Sequence, residues 1–446
     1  MWNEDRLSLS RRALIRAGGV GLTGVALGAA APPPSPADVG GVKDGKVTFP
    51  NWRAPGERPE APPPAPLPPD KRVGFALVGL GRLTLNELLP AFAECRKAKP
   101  VALVSGTPDK AKTVASQYGV KPEAVYDYAG FESIADNPEI QVVYVVLPNG
   151  LHHDFVLRAA RAGEHVLCEK PMANNSAEAR DMIAARAQAG RHLMIAYRCQ
   201  YEPYNRAATR LARSGELGPV RLIEATNLQN MGLGDQWRFK GALAGGGALP
   251  DVGIYCLNAA RYITGEEPIG VSAQVYSPPG DDRYREVEET VTFQLRFPSG
   301  VLANCSTSYG IHEARRLSVH TTDGAIMLEN AFAYQGQRMR VRHRQGQSEA
   351  DEHRELQQKN QFALEIDHMA TCVLENRRPR TPGEEGLQDH LLMEAIYEAA
   401  RSGRMVDLPK VEGRDATRGP EPERRPDPAA RVQVHGRPRS GSHPEE

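Results

Sequence analysis

The order of apolar and polar positions divides the chain into two structured halves with different periodicities. In the first half, unbroken apolar runs of strand length alternate with amphipathic stretches of helical length. The apolar runs lie at 73–78, 101–104, 141–147, 165–168 and 192–197, and the helical stretches include 154–162 and 176–189. Since buried parallel strands read as continuous apolar runs, this alternation predicts an α/β domain with a doubly wound parallel sheet over residues 71–197.

In the second half, apolar and polar residues alternate with a period of two, and few helical stretches intervene. The alternation recurs at 271–275, 289–297, 301–308 and 316–321, and a helical stretch follows at 388–402. A period of two is typical of strands with one buried face. We therefore predict a C-terminal α+β domain over residues 198–408, built on a large open, mostly antiparallel sheet.

Both ends of the chain have the composition of segments outside a folded core. Arg11 and Arg12 precede a Gly- and Ala-rich run that ends at residue 31, so residues 1–31 are typical of a twin-arginine export signal, with an ordinary basic terminus as the alternative. Residues 32–70 are proline-rich and predict an extended arm, which is either a passive spacer or a cover for a cofactor or partner subunit. Residues 409–446 are charged and proline-rich and predict a disordered tail.

The net charge and the cysteine spacing argue against a nucleic-acid partner, a metal site and a disulfide framework. Lys+Arg and Asp+Glu both number 55, so the formal net charge is +0 and we expect no nucleic-acid partner. The 6 cysteines are scattered and form no CxxC pair. Neither a metal site nor a disulfide framework is therefore predicted.

Gly79-Leu80-Gly81-Arg82 directly follows the first apolar run, and a helix is expected from near Thr84. In a dinucleotide-binding Rossmann turn, the first glycine permits the tight turn and the second lets the backbone approach a pyrophosphate at the helix N-terminus. Thr84 stands where a third Gly or Ala is usual. We expect this departure to loosen the packing of the helix on the strand.

The end of the second strand discriminates between the two nicotinamide dinucleotides. An enzyme that uses NAD usually has Asp or Glu there, to bind the ribose 2′-hydroxyl. This chain has Ser105 and, five residues later, Lys110. A hydroxyl and an ammonium group suit a 2′-phosphate, which an acid would repel, so the sequence predicts NADP. The alternative is that Lys110 is a solvated lysine on a helix face.

Three further candidate cofactor contacts follow the run at 141–147, at the carboxyl end of a strand. They are Pro148, Asn149 and His152. A single histidine in a loop is more often structural, and that alternative stays open for His152.

Two segments have candidate catalytic chemistry. In Glu169-Lys170-Pro171, Lys170 follows a strand and can stabilise negative charge on a substrate oxygen during hydride transfer. Asp251 and Tyr255 follow a glycine run and, being four apart, share one face of a predicted helix. Tyr255 can act as a general acid and base with its pKa lowered by Lys170, and Asp251 can orient the lysine or the substrate. A helix cap at Asp251 and a packed tyrosine at 255 form the alternative.

Segments 169–171 and 251–255 resemble the signature segments of the Gfo/Idh/MocA oxidoreductase family, many of whose members have His at the position of Tyr255. Similar stretches are spread over residues 71–407. The resemblance implies that Lys170, Asp251 and Tyr255 are catalytic. It implies NADP contacts at Gly79, Leu80, Gly81, Arg82, Ser105, Lys110, Tyr128, Glu169, Lys170, Arg198, Trp237 and Arg238.

The resemblance also implies a function. An aldose would be oxidised to its lactone and a second sugar reduced to a polyol, with NADP held tightly and recycled, in an exported, periplasmic homo-oligomer (a dimer or tetramer). An exported enzyme meets almost no free NADP, which fits retention of a cofactor loaded before transport by the twin-arginine machinery. A conventional NADP-dependent sugar dehydrogenase, a non-catalytic nucleotide-binding protein and an NAD-dependent hydrolase are the alternatives. Segment 227–235 is shorter than its counterpart, so the sugar pair stays open.

Overall fold

The structure, a computed structural model, describes residues 39–49, 72–232, 236–422 and 431–438, the last segment as backbone alone. The export signal predicted for residues 1–31 and most of the arm predicted for 32–70 lie outside these ranges. Within them, no helix is long and apolar enough to cross a membrane.

The described strands and helices alternate in the first half, and strands dominate the second. The strands are β1 (Gly41–Lys43), β2 (Lys46–Thr48), β3 (Val73–Val78), β4 (Ala98–Val104), β5 (Val125–Tyr126), β6 (Val142–Val145), β7 (His165–Glu169), β8 (Leu193–Ala196), β9 (Val220–Asn230), β10 (Gly270–Tyr276), β11 (Thr290–Arg296), β12 (Leu302–Ser308), β13 (Gly310–Thr321), β14 (Gly324–Glu329), β15 (Arg338–Gln345), β16 (Ser348–Glu355), β17 (Val406–Asp407) and β18 (Arg431–Pro438). The helices are α1 (a π-helical turn Thr84–Leu88 continued by Leu89–Ala91), α2 (Pro108–Tyr118), α3 (Asn149–Arg161), α4 (Ser176–Ala189), α5 (Pro203–Ser214), α6 (a π-helical turn Leu249–Gly253 continued by Ile254–Thr264), α7 (Gln361–Glu375) and α8 (Gly383–Ser402). Shorter helical turns lie at Pro122–Ala124, Phe131–Asp136, Arg198–Gln200, Trp237–Phe239, Gly241–Ala244 and Asp282–Tyr284.

A parallel sheet of six strands, in the order β5-β4-β3-β6-β7-β8, forms the core of the first half. Every residue of β3 and of β6 is buried, which explains why these strands read as unbroken apolar runs. The strand order reverses on either side of β3, and ligands of such sheets bind outside the carboxyl ends of the strands at this point. The predicted doubly wound domain is confirmed.

The glycine turn after β3 packs tightly against the neighbouring strand. Gly79 has a φ of 96°, and a Cβ there would lie 2.2 Å from the carbonyl oxygen of Val146. Thr84 is fully buried, and its hydroxyl donates a 2.6 Å hydrogen bond to the carbonyl oxygen of Gly79. The expectation that Thr84 loosens this packing was wrong, because its hydroxyl finds a backbone acceptor inside the turn.

The second half is built on a sheet of ten strands in the order β17-β10-β11-β12-β9-β13-β14-β15-β16-β18. All neighbours are antiparallel except β12 and β9, which run parallel. Helices α5, α6 and α8 pack on one face, and side chains alternate between buried and exposed along β11 and β12. The predicted open, mostly antiparallel sheet is confirmed.

Helices α7 and α8 return to the first half and complete its core. The backbone N–H of Ile195 in β8 donates to the carbonyl oxygen of Thr381, 2.7 Å away, and α8 packs against α4. Because Glu365 on α7 is fully buried there beside Tyr144 of β6, this helix carries an ionisable group to the back of the parallel sheet.

The prediction of a disordered tail over residues 409–446 is wrong for the parts that the structure describes. Arg418 is buried and donates to Glu385 of α8 at 3.0 Å, and Asp415 is paired with Arg213 at 2.8 Å. Further on, β18 pairs antiparallel with β16 at the edge of the sheet. A charged composition predicted solvation, but these charges have partners on distant helices that the composition does not reveal.

Candidate active site

Lys170 and Asp251 meet between the end of β7 and the first turn of α6. Lys170 Nζ donates to the Asp251 backbone oxygen at 2.5 Å and to Asp251 Oδ1 at 3.1 Å. Asp251 Oδ2 accepts from Arg238 Nε at 2.9 Å and from the Tyr309 hydroxyl at 2.8 Å. Burial alone would raise the pKa of Asp251, but Lys170, Arg238 and Tyr309 hold that pKa well below its usual range. Asp251 is therefore an ionised carboxylate, and its helix-cap alternative is wrong.

A wide π-helical turn, Leu249–Gly253, presents Asp251 to the lysine. The Glu288 carboxylate accepts from the backbone N–H groups of Gly247 at 2.8 Å and Leu249 at 2.9 Å, which satisfies the donors at this helix start. A Cβ on Gly247 would lie 1.9 Å from the Glu288 carbonyl oxygen. The glycine run therefore allows its backbone and that of Glu288 to lie close together.

Tyr255 lies one turn further along α6, and two cations lie against its ring. Lys170 Nζ is 4.8 Å and the Arg198 guanidinium carbon 4.7 Å from the ring centroid. Burial raises the pKa of the Tyr255 phenol well above its usual value, and Arg198 opposes this only in part. The predicted lowering of this pKa by Lys170 is not found, because desolvation outweighs the charge. Tyr255 is protonated at neutral pH and can donate a hydrogen bond to a substrate oxygen.

Arg198 supports Tyr255 from inside the protein. Its guanidinium donates to the carbonyl oxygens of Phe332 at 2.7 Å and Ala333 at 3.3 Å, and to Gln361 Oε1 at 2.6 Å. It is buried, with the Tyr255 ring on one side. These donors bind protein acceptors and the charge of Arg198 acts on Tyr255, while its predicted contact with NADP stays a prediction.

Arg238 binds Asp251, and its predicted contact with NADP stays a prediction. Its guanidinium lies 4.5 Å from the ring of Trp237 and binds Asp251, which places both residues beside the catalytic cluster. Tyr309, at the end of β12, was missed by the sequence analysis. Nothing in its local sequence pattern distinguishes it, since the sheet register alone brings it to Asp251.

His152 packs inside the protein, as the structural alternative expects. It is fully buried, and its ring nitrogens lie 2.9 Å from the Pro171 carbonyl oxygen and 2.8 Å from that of Leu147. Burial lowers the pKa of His152 to about 4. Both nitrogens face backbone carbonyl oxygens, one of them in the Lys170–Pro171 turn, and the predicted cofactor contact of His152 stays a prediction.

Pro148 and Asn149, which precede His152 in the sequence, lie at the start of α3 and help to position the backbone there. Pro148 directly precedes α3, where it is the N-cap residue. Asn149 is buried and donates to the carbonyl oxygen of Ala244 at 2.8 Å, so its amide joins α3 to the turn Gly241–Ala244. The expected cofactor contacts of these two residues stay predictions.

Glu169 faces inward. It is 8% exposed, and its Oε1 accepts from the Tyr144 hydroxyl at 2.9 Å. β7 points this carboxylate toward α7 behind the sheet, and the predicted contact of Glu169 with NADP stays a prediction.

The other predicted cofactor contacts gather at the carboxyl ends of β3 and β4. Ser105 and Lys110 are buried, and the Tyr128 ring lies against Gly106. Lys110 Nζ donates to the Val39 carbonyl oxygen, and the Arg82 guanidinium lies 4.6 Å from the Phe49 ring. A buried ammonium group beside a serine, with no acid at the end of β4, fits a dinucleotide with a 2′-phosphate.

NADP bound in this fold supplies the acceptor and donor of hydride. The residues of the chain handle the oxygen of the substrate. The Tyr255 phenol and the Lys170 ammonium are two donors that can bind one oxygen, and they stabilise negative charge that develops there. Asp251 holds the lysine in place through Oδ1 and its own backbone oxygen.

We expect the preference for NADP to weaken in alkaline solution. Burial lowers the pKa of Lys110 to about 8. Its ammonium form binds a 2′-phosphate, so NADP affinity should fall by up to about tenfold per pH unit above that value, while NAD affinity changes little. Calorimetric titration of both nucleotides across this range checks it. Lys110→Met should remove the pH dependence and Lys112→Met, an exposed lysine on the same helix, should retain it; an unchanged profile in Lys110→Met would contradict the assignment.

Comparisons with known proteins identify the family. Residues 73–197 match the profile of an oxidoreductase family with an NAD-binding Rossmann fold, and residues 205–327 match that of the GFO/IDH/MocA C-terminal domain. D-xylose 1-dehydrogenase [NADP(+)] of Haloarcula marismortui is 32% identical over 345 residues, which cover 76% of this chain and 94% of the relative. D-xylose 1-dehydrogenase (NADP(+)) 2 of Haloferax volcanii is 29% identical over 339 residues, covering 75% and 99%.

A solved structure agrees with these matches. The aldose-aldose oxidoreductase of Caulobacter crescentus, complexed with glycerol, is 47% identical and superposes with a TM-score of 0.73. The match covers 76% of this chain and 100% of that one. With the two family profiles in succession and the Lys170–Asp251–Tyr255 cluster at the carboxyl end of β7, the chain belongs to the Gfo/Idh/MocA family of oxidoreductases.

Proposed function

We propose that the protein holds NADP between two half-reactions, oxidising an aldose such as glucose to its lactone and reducing a second sugar such as fructose to a polyol. This is the activity of glucose–fructose oxidoreductase, which the signature segments resemble. At the coarser level, the chain is an NADP-dependent oxidoreductase that acts on sugars. The finer proposal concerns whether the cofactor leaves between turnovers.

The observation that carries the proposal is the hairpin β1–β2. Both of its strands lie against α2, the helix that follows Ser105. Val39 and Phe49, which flank the hairpin, contact Lys110 and Arg82, the two cations of the predicted phosphate-binding region. A dinucleotide whose adenosine end lies under this hairpin must wait for the hairpin to open before it can leave. This arrangement supports slow release of NADP.

The relatives support two sugar substrates without naming them. The Caulobacter structure is called an aldose-aldose oxidoreductase, which describes hydride exchange between two sugars. The Haloarcula relative is called a dehydrogenase of D-xylose that uses NADP. A conventional sugar dehydrogenase that releases its cofactor is accordingly the alternative outcome of the experiment.

We also propose export through the twin-arginine pathway to the periplasm, and assembly as a homo-oligomer through the uncovered face of the ten-stranded sheet. Tyr276 and Leu302, two large apolar side chains of this sheet, are 56% and 50% exposed, and apolar surface of this kind marks interaction sites when it is contiguous. Cell fractionation and size-exclusion chromatography of the mature protein test these two proposals.

The deciding experiment follows the absorbance of reduced nicotinamide in extensively dialysed protein. Glucose added without cofactor should raise the absorbance, and fructose should then reverse it. Phe49→Ala, which removes the ring over Arg82, should release more NADP on dialysis and give a smaller rise. No rise in the parent protein, together with full activity when NADP is supplied, would establish the conventional dehydrogenase.

A further inference from the structure

Two buried carboxyl groups lie behind the catalytic lysine, and the site described above uses neither. Glu169 ends β7, and Glu365 lies in the second turn of α7. Glu365 is fully buried, and Glu169 is 8% exposed. The two residues are 196 positions apart, so only the packing of α7 against the parallel sheet brings them together.

One hydroxyl serves both carboxyl groups. Tyr144 Oη lies 2.9 Å from Glu169 Oε1 and 3.4 Å from Glu365 Oε1. A phenol has one proton and can donate to only one of the two. Within the described residues, Glu365 Oε2 is a buried oxygen without a hydrogen-bond partner. An ionised carboxylate in that position would leave a negative charge without donors, whereas a carboxylic acid would not.

The surrounding charges do not compensate two carboxylates. Arg198 is the cation that faces both, and Lys170 faces Glu169. Burial raises the pKa of Glu365 well above its usual value, and the charge of Glu169 adds to this; burial also raises the pKa of Glu169. The other titratable groups that face the pair are Tyr144, Cys168, Cys199, Tyr201 and Tyr255.

We propose that Glu169 and Glu365 form a proton-storing pair, which takes up the hydroxyl proton of the aldose during oxidation and returns it to the second sugar during reduction. This rests on the proposed function, in which NADP stays bound between the two sugars. Glu169 directly precedes Lys170, whose backbone N–H donates to Glu169 Oε2 at 3.2 Å, so the pair adjoins the lysine that binds the substrate oxygen.

The storage balances atoms and charge. Aldose oxidation transfers one hydride, with two electrons, to NADP⁺ and frees one proton from the hydroxyl oxygen. The cofactor loses its positive nicotinamide charge, so a proton retained nearby leaves the net charge of the buried centre unchanged. Reduction of the second sugar consumes both the hydride and the stored proton. Oxidised cofactor should therefore disfavour the proton on the pair, and reduced cofactor or an empty site should favour it.

Infrared spectroscopy of the protein tests this, because a carboxylic acid and a carboxylate absorb separately. Cofactor-stripped protein at neutral pH should show a buried carboxylic-acid band that is lost in Glu365→Gln. NADP⁺ should diminish the band in the parent protein, and chemical reduction of the bound cofactor should restore it. Glu202→Gln is the matched control, because Glu202 is also buried but its two carboxylate oxygens accept from backbone N–H groups, at 2.9 Å and 2.7 Å.

A proton count during turnover is the second readout. In weakly buffered solution with an indicator dye, glucose should release far less than one proton for each NADPH formed, and Glu365→Gln should release close to one. One full proton from the parent protein, or a carboxylic-acid band that persists in Glu365→Gln, would overturn the proposal. Failure of glucose to form NADPH would instead contradict the proposed function, while the cofactor titration still decides the fate of the pair.

Discussion

Tyr255→Phe should lower kcat for sugar oxidation by about 10²–10⁴-fold, the usual contribution of a general acid or base, and leave NADP affinity unchanged. The ring lies between Lys170 and Arg198, and phenylalanine retains these contacts between cation and ring. Only the hydroxyl that binds the substrate oxygen is lost. Steady-state kinetics with each sugar and calorimetric titration of NADP measure the two quantities.

The matched control is Tyr334→Phe. The Tyr334 ring lies 4.6 Å from the same Arg198 guanidinium, so this variant also removes a phenol beside that cation. It should change kcat by much less than Tyr255→Phe. If Tyr255→Phe retained full kcat, Tyr255 would be a packed tyrosine, and the proton would have to pass through Lys170 alone.

The largest expected loss of stability follows from Arg261→Met. Arg261 is fully buried at the end of α6 and bonds Glu267 at 2.5 Å, Glu385 at 2.8 Å and also Asp389. Removing this cation leaves Glu267 and Glu385 to share the Arg418 guanidinium, while Asp389 loses its ion pair. Loss of one partner from a buried ionic network costs about 3–5 kcal/mol, which urea unfolding can measure.

Two comparison variants show how much of that loss of stability comes from the buried charges. Arg316→Met removes a solvent-exposed pair with Glu329 at 3.2 Å and should cost about 0–1 kcal/mol. Glu267→Gln added to Arg261→Met should recover part of the loss, because it removes one uncompensated charge. Equal destabilisation by Arg261→Met and Arg316→Met would show that the network contributes little to folding.

The same network explains why the C-terminal segment is ordered. Arg418 and Thr417 reach Glu385 on α8, where Thr417 donates at 2.6 Å. Glu385 keeps its charge despite burial, because Arg261 and Arg418 lower its pKa to about 2. The composition of the tail predicts solvation, but Thr417 and Arg418 bind α8, one of the helices that complete the parallel sheet.

The hydrophobic pattern predicted the secondary structure elements well where the buried positions are apolar. The apolar runs predicted the bounds of β3, β4, β6, β7 and β8 to within a few residues. The predicted helical stretch 176–189 has the same bounds as α4. Helices α5 and α7 and strands β9, β14, β15 and β16 were not predicted. In α7, the polar residues Gln361 and Glu365 are buried against partners far along the chain, so they break the periodicity that would have identified this helix.

By itself, the sequence determined the two-part architecture, the family, the choice of NADP and the Lys170–Asp251–Tyr255 set, because these depend on local patterns and on residue identities at the ends of strands. Tertiary structure alone decided what surrounds them. The inward orientation of Glu169, the contact of Arg198 with Tyr255 and the hydrogen bond from Tyr309 to Asp251 all join residues distant in sequence. The pKa of each buried group depends on desolvation and on charges from other elements, and these become known only when the elements pack together.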